Sequence, residues 1–379
     1  MIPYARQLID EQDVEAVVKA LSSPWLTTGP CVERFEKTFA TVCCVRHAVT
    51  VSSGTAALHA AMFALGVLPG DEVIVPSLTF VATANAVVYM GATPVFADVN
   101  PETLLLDPAS VESKITARTK GIIAVDYAGQ PCDYEALQLI ASRHQVFLHA
   151  DACHALGAFY LGRPVGSLAD ASSFSFHAVK PITTAEGGMI TTNDEGLARK
   201  LRTFRNHGIT TDFRERETKG TWHYDMEDLG YNYRLSDLQS ALGLSQLSKI
   251  DSLTARRQEI AARYDSLFKS IPQIVPLGRQ AGSSHAYHLY AVRLQKEWSG
   301  RRAEFFQKMR ARGIALNVHY RPVYQHSFYV KTYGDQSGSC PAAEKAYENL
   351  VSIPLFAGLS DEDFEKITAS ITAVLNESE

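Results

Sequence analysis

The sequence predicts an α/β fold built on a mostly parallel seven-stranded sheet, followed by a smaller α+β domain. Seven short apolar runs bounded by turn residues, at 48–52, 72–76, 94–98, 121–127, 146–150, 171–176 and 188–192, have the length and flanks of strands, and helical patterns separate most of them. That alternation implies parallel strands with helices on both faces. Beyond residue 200 the strand signals thin out and long helical stretches take over across 235–270. The change of pattern puts a boundary near 245–250, giving a large domain over 1–247 and a small C-terminal domain over 248–379.

Taken in order, the elements carry their own local reasons. Val14, Val17, Val18 and Leu21 recur at helical spacing after Asp10, which predicts an amphipathic helix over 11–22 with an aspartate cap. Residues 49–66, VTVSSGTAALHAAMFALG, combine a strand, a Ser52-Ser53-Gly54 turn and an alanine-rich helix ending at Gly66. Such a turn presents unpaired N–H groups and the positive end of a helix dipole to an anion such as phosphate. Ser53 could equally do no more than cap that helix. Phe80 in PSLTF is either a flat surface for a ligand ring or a core side chain.

In VFLHADACHALGA (146–158), Asp151 ends an apolar strand and His154 follows it. Strand carboxyl ends are where open α/β sheets bind ligands, although Asp151 could also be a helix cap. In SFSFHAVKPITTAEGG (173–188), alternation puts Ser173, Ser175 and His177 on one face and Phe174 and Phe176 on the other. Pro181 keeps Lys180 out of a helix, and Gly187 and Gly188 permit close approach of a ligand or another backbone. An ordinary solvated lysine is the competing reading. After 247, a strand at 287–294, a helix at 301–313 and a strand at 314–320 are expected.

Composition narrows the functional classes. The 379 residues are 46% apolar and 20% charged, the balance of a soluble enzyme. A net charge of -5 without a basic run argues against a nucleic-acid partner. The start, MIPYARQLIDEQD, lacks an apolar core of signal-peptide length, and the most apolar stretch, 81–97, is interrupted by Thr83, Asn85 and Thr93. A cytoplasmic protein with no membrane association is expected. The six cysteines show no metal-ligand spacing, so free, mostly buried thiols and no metal are expected. No two glycines are one residue apart, so the dinucleotide fingerprint GxGxxG is absent, as is the Walker A motif.

An anion-binding helix start, an acid at a strand end, and a lysine 29 residues later at another strand end are the parts that pyridoxal phosphate requires. The cofactor needs an amine for its aldehyde, an acid beside its ring nitrogen, and donors for its phosphate. Lys180, Asp151 and the Gly54-Thr55 turn with Ser175 match those needs.

The motifs WLTTG (25–29), SGTAAL (53–58), PSLTF (76–80), SFHAVKPITTAEGG (175–188) and GYNYRLSDLQSALG (230–243) resemble the DegT/StrS family of nucleotide-sugar aminotransferases over nearly the whole chain. The resemblance implies the aspartate-aminotransferase-like fold, PLP fold type I. VDYAGQ (125–130), DACHALGA (151–158) and VHYRPVYQ (318–325) are most similar to the branch serving pseudaminic acid synthesis, which aminates a UDP-linked 4-keto-6-deoxy N-acetylhexosamine.

By that resemblance Lys180 is the cofactor-linking lysine, Asp151 the partner of the ring nitrogen and His154 the neighbour of the ring hydroxyl. Phe80 stacks on the ring. Gly54, Thr55 and Ser175 hold the phosphate, and Asn232 reaches it from the second subunit of a homodimer with composite sites. His319, Tyr320 and Thr28 face the sugar nucleotide, and glutamate is the amino donor. Many family members have Glu before the ring-binding Asp and Gln or His after it, where this chain has Ala150 and His154, and many have His where it has Asp126. An enzyme for another nucleotide 4-keto sugar, of the GDP-perosamine, 4-amino-arabinose or dTDP-sugar type, therefore stays open, as does a non-catalytic regulator. Lys180 speaks against a sugar dehydrase, whose relatives carry histidine there.

Overall fold

The computed structural model describes residues 1–211, 213–218 and 220–377. Its strands are β1 (His47–Val51), β2 (Glu72–Pro76), β3 (Thr93–Ala97), β4 (Thr119–Val125), β5 (Phe147–Asp151), the short hairpin β6 (Phe159–Tyr160) and β7 (Arg163–Pro164), β8 (Ala171–Ser175), β9 (Gly188–Thr192), β10 (Ile274–Pro276), β11 (Tyr290–Leu294) and β12 (Leu350–Ile353). The helices are α1 (Glu11–Leu21), α2 (Pro30–Val42), α3 (Gly54–Ala64), α4 (Val81–Tyr89), α5 (Pro108–Lys114), α6 (Tyr134–His144), α7 (Glu195–Phe204), α8 (Phe213–Thr218), α9 (Asp237–Leu247), α10 (Ile250–Phe268), α11 (Arg302–Ala311), α12 (Ser327–Tyr333), α13 (Pro341–Asn349) and α14 (Asp361–Asn376).

The expected seven strands form one sheet in the order β1-β9-β8-β5-β4-β2-β3. It is parallel from β3 through β8, and β9 runs antiparallel between β8 and β1. Register brings the chemistry to one edge. Val125 pairs with Asp151, Asp151 with Ser173, and Gly188 with both Ser175 and Val51. The ends of β4, β5, β8 and β1 therefore meet at the carboxyl edge of the sheet, where ligands bind in open α/β sheets. A side chain at Gly188 would run into the Ser53 carbonyl, so the two turns close only around glycine.

A second sheet, β10-β11-β12, is antiparallel and packs against α10, α11 and α14 through Tyr264, Val292, Phe305, Ile353 and Ile371. The strand expected at 314–320 does not form. Asn317 exchanges both backbone bonds with Ser352, but its side chain takes the Val318 N–H at 2.8 Å, which ends the ladder after one pair. The segment instead runs on to the cleft.

The helix expected at 11–22 is α1, with a full capping box from Asp10 and Asp13. Its valine stripe does not face the core. Val14, Val18 and Leu21 are exposed, and the buried face carries Asp13, held by Lys249 Nζ at 2.8 Å and Gln246 Nε2 at 2.7 Å. Among the described residues no helix is long and apolar enough to cross a membrane. The cysteines are all free. Cys43, Cys132 and Cys340 are buried, Cys31 and Cys153 are half-buried, and Cys44 is exposed.

Candidate active site

A cleft of about 780 Å³ opens at the carboxyl edge of the large sheet, and Gly54, Thr55, Phe80, Asp151, His154, Ser175, Lys180, His319 and Tyr320 all line it. Two sequence-predicted residues stay out of it. Asn232 is exposed and bridges Asn206, while Thr28 lines a separate cleft of about 360 Å³ with Arg199, Arg202 and Arg234.

The helix α3 opens the cleft floor. Ser53 accepts the Ala56 N–H at 3.0 Å, so it does cap the helix as the plainer reading had it. Among the described residues, no protein acceptor takes the N–H groups of Gly54 and Thr55, which lie at the positive end of the helix. Ser175 packs directly over Gly54, where an added Cβ would stand 2.7 Å from the serine Cβ. This cradle suits a phosphate, with the amides and the Ser175 hydroxyl as donors.

Lys180 sits in the turn after β8, its N–H donating to the His177 carbonyl at 2.9 Å. The turn half-buries the lysine inside the cleft. Burial lowers its ammonium pKa from the usual lysine value, while Cys153 and Asp151 oppose that shift. It is no ordinary solvated lysine. Asp151 ends β5 and caps no helix. Its Oδ1 accepts the Cys153 N–H at 3.3 Å and its Oδ2 accepts the Thr83 hydroxyl at 2.7 Å.

Above Asp151 stand three imidazoles. The rings of His154 and His288 lie 4.4 Å apart, and His154 Nε2 is 3.2 Å from the Tyr320 hydroxyl. Burial holds His154 and His288 well below the usual histidine range, with Lys180 adding to it, and lowers His319 to about 4. All three are neutral at pH 7. Among the described residues the buried Nδ1 atoms of His154 and His288 have no partner, so polar atoms are left to meet a ligand group. Phe80 leaves 55% of its surface open, so it is not the core side chain of the alternative reading, and its ring lies 5.9 Å from that of Tyr320.

The far wall is tied down by VDYAGQ. Tyr127 donates its hydroxyl to the His319 carbonyl. The Ala128 and Gly129 carbonyls accept from Leu289 and Ala286, fixing the segment that carries His288. Asp126 anchors this turn by accepting from Cys132 N–H at 3.0 Å and Tyr134 hydroxyl at 2.8 Å, and burial raises its pKa to about 7.

Sequence reasoning missed Tyr4, Thr79, Thr83, Tyr127, His288 and Asn317. Thr79 and Thr83 could have been noticed as a helix-spaced hydroxyl pair beside Phe80. Tyr127 lies within the VDYAGQ run, and the others arrive by tertiary contact and leave no local signal.

The donor set fits pyridoxal phosphate on each count: a phosphate cradle, a carboxylate, an unpaired imidazole nitrogen, an open aromatic face and a half-buried amine. Residues 7–372 match the DegT/DnrJ/EryC1/StrS aminotransferase family. The spore coat polysaccharide biosynthesis protein SpsC of Bacillus subtilis is 40% identical over 377 residues, which is 99% of this chain and 97% of SpsC. Among solved structures, the PLP form of Spr1654 from Streptococcus pneumoniae, described as a sugar aminotransferase, superposes with a TM-score of 0.93 at 34% identity, covering 100% of this chain and 99% of that one. Helicobacter pylori PseC, described as an aminotransferase involved in the biosynthesis of pseudoaminic acid, gives 0.92 at 35% identity over 99% of both chains. The chain thus belongs to the DegT/DnrJ/EryC1/StrS family and is a pyridoxal phosphate-dependent sugar aminotransferase.

Proposed function

We propose that this enzyme moves an amino group from glutamate to the 4-keto carbon of a UDP-linked 4-keto-6-deoxy N-acetylhexosamine, as in pseudaminic acid synthesis. The observation that carries this reading is the far wall of the cleft, where the VDYAGQ turn, His154 of DACHALGA and the VHY segment interlock in one hydrogen-bonded unit. Those are the motifs that resemble the pseudaminic acid branch, and the likeness to PseC supports it.

Pyridoxal phosphate, when bound, supplies an aldehyde carbon that exchanges amines and a ring that draws off an electron pair. Gly54, Thr55 and Ser175 hold its phosphate, Phe80 covers its ring, and His154 offers a neutral Nδ1 to the ring hydroxyl. Lys180 Nζ, its pKa lowered by burial, would take the proton from the donor carbon and hold it for return as the amino group is passed on. The Asp151 carboxylate accepts from the ring N–H and stabilises positive charge there. His319 and Tyr320 face the sugar.

The working unit is a homodimer in which Asn232 serves the partner's phosphate site. Support comes from the surface around it: Trp222, Tyr224, Met226, Leu229 and Tyr231 are all exposed, with Trp222 at 88%, an apolar run of the kind that a partner covers. The chain divides between 247 and 248, and the enzyme works in the cytoplasm.

The likeness to SpsC favours a second reading, an aminotransferase for another nucleotide 4-keto sugar. A panel of UDP-, GDP- and dTDP-linked 4-keto sugars, each assayed with glutamate for amino-sugar product, decides between them. Turnover confined to a GDP or dTDP substrate rejects the first reading.

A further inference from the structure

Behind Asp151 lies a pair of buried hydroxyls. Thr83, on the first turn of α4, is wholly buried and donates to Asp151 Oδ2 at 2.7 Å. Thr79, one helical turn earlier and almost as buried, lies 2.9 Å from Thr83 Oγ1. A carboxylate only accepts, so the single proton of Thr83 is committed to Asp151 and Thr79 must donate the next one. The array therefore has one direction, from Thr79 through Thr83 to the carboxylate.

Several titratable groups surround the carboxylate. Lys180 is the cation facing it, and a lysine engaged by the cofactor no longer offers a free ammonium. Asp126, just past the end of β4, brings a second buried carboxyl, and its backbone N–H donates to the Asp151 carbonyl at 3.1 Å. Cys153, Tyr134 and Tyr320 are neutral acids, and His154 is a neutral base. Among the described residues, Thr83 makes the short hydrogen bond to this carboxylate and the Cys153 N–H a longer one.

We propose that Thr83, oriented by Thr79, is a positioning residue for amino transfer: it keeps Oδ2 of Asp151 occupied and the carboxylate turned, so that Oδ1 is the oxygen presented to the cofactor's ring nitrogen. This rests on the role given to Asp151 above. A hydrogen bond to a charged group in a dry site is among the stronger ones, so its loss is visible in the chemistry and not only in folding.

The test uses the cofactor-loaded enzyme with Thr83→Val, Thr83→Ser and Asp151→Asn. Two readouts are followed: exchange of the α-hydrogen of glutamate with solvent deuterium, and the pH midpoint of the visible absorption band. Thr83→Val is expected to slow exchange by about 10- to 100-fold. It should also move the midpoint upward, because a less positive ring repels the proton on the Lys180 nitrogen less. Thr83→Ser, which restores the hydroxyl, should stay within about threefold of wild type. A Thr83→Val enzyme with wild-type exchange and midpoint, beside an Asp151→Asn enzyme in which both have moved, overturns the inference and leaves the Asp151 role standing. If Asp151→Asn itself moves neither, the Asp151 role fails and this inference with it. Should Thr83→Val not fold, Thr79→Val removes only the orienting donor. It is expected to shift the midpoint in the same direction, and an unmoved midpoint there also overturns the inference.

Discussion

Tyr320 and His154, 166 residues apart in the chain, meet with the phenol oxygen 3.2 Å from Nε2 of the imidazole. The contact joins the segment that carries His319 and Tyr320 to the turn that follows β5. Replacing Tyr320 with Phe removes one hydrogen bond and leaves a buried nitrogen unpaired, a loss of about 1–3 kcal/mol. The expected result is a KM for the nucleotide sugar raised about tenfold, with the glutamate half-reaction within about threefold of wild type. Equal damage to both half-reactions, measured by single-turnover absorbance, contradicts this division of labour.

Lys180→Ala should fold but lose the visible band and all turnover, because among the described residues no other lysine lines the cleft to hold the cofactor or move the proton. Arginine should not rescue it, since a guanidinium stays protonated and is no usable nucleophile. Measurable turnover in purified Lys180→Ala would remove this lysine from the mechanism.

The proposed dimer makes a sharper prediction. An inactive Lys180→Ala protein mixed with an inactive Asn232→Asp protein, under conditions that exchange subunits, should regain activity. Each hybrid has one site with both lesions and one with neither. Aspartate is chosen because a second negative charge beside the phosphate costs several kcal/mol where solvent is scarce. No recovery after exchange has been verified by mass spectrometry means that Asn232 serves its own subunit's site, or none.

A fourth prediction concerns acid stability. His149 is wholly buried in β5, with Ser173 Oγ 3.1 Å from Nε2, and burial lowers its pKa to about 3. The unfolded chain binds that proton near the ordinary histidine pKa, about 6.5. Stability from this group is thus complete above pH 6.5 and is lost as pH falls towards 3. One such histidine gives a slope of at most about 1.4 kcal/mol per pH unit. His59 and His319, lowered to about 4, and His285, lowered to about 3, act in the same window. Urea melts between pH 7 and 5 should show falling stability, with a flatter slope for His149→Gln. An unchanged slope would show that His149 does not stay neutral in the folded state.

Why some of this was legible in sequence and some was not follows from the range of the forces. The seven strands of the large sheet are buried on short apolar runs with turn residues between them, so each announces itself locally. Lys180, Asp151 and the Gly54 turn were visible for the same reason, since each lies at the end of such a run. The strand expected at 314–320 failed because its side chain Asn317 competes for the backbone, which apolar content does not reveal. The α1 stripe misled in the opposite sense. Its valines keep helical period, yet the buried face is the one whose Asp13 meets Lys249 and Gln246. His288 enters the site only through the docking of a distant segment, and no spacing could have pointed to it, whereas Tyr127 stood within the VDYAGQ run with no role given to it.

The docking of the N-terminal residues sets an order of assembly. Ile2 pairs with the backbone of Gly313 and Ala315, Tyr4 accepts from Leu355, and the same Tyr4 lines the cleft. On the ribosome those first residues emerge more than three hundred positions before their partners and must wait unpaired while the large sheet condenses behind them. Contacts of such sequence separation form late and slowly. The cleft is then among the last features of the molecule to close, and a nascent chain halted before residue 313 would hold Lys180, Asp151 and the phosphate cradle beneath an unfinished roof.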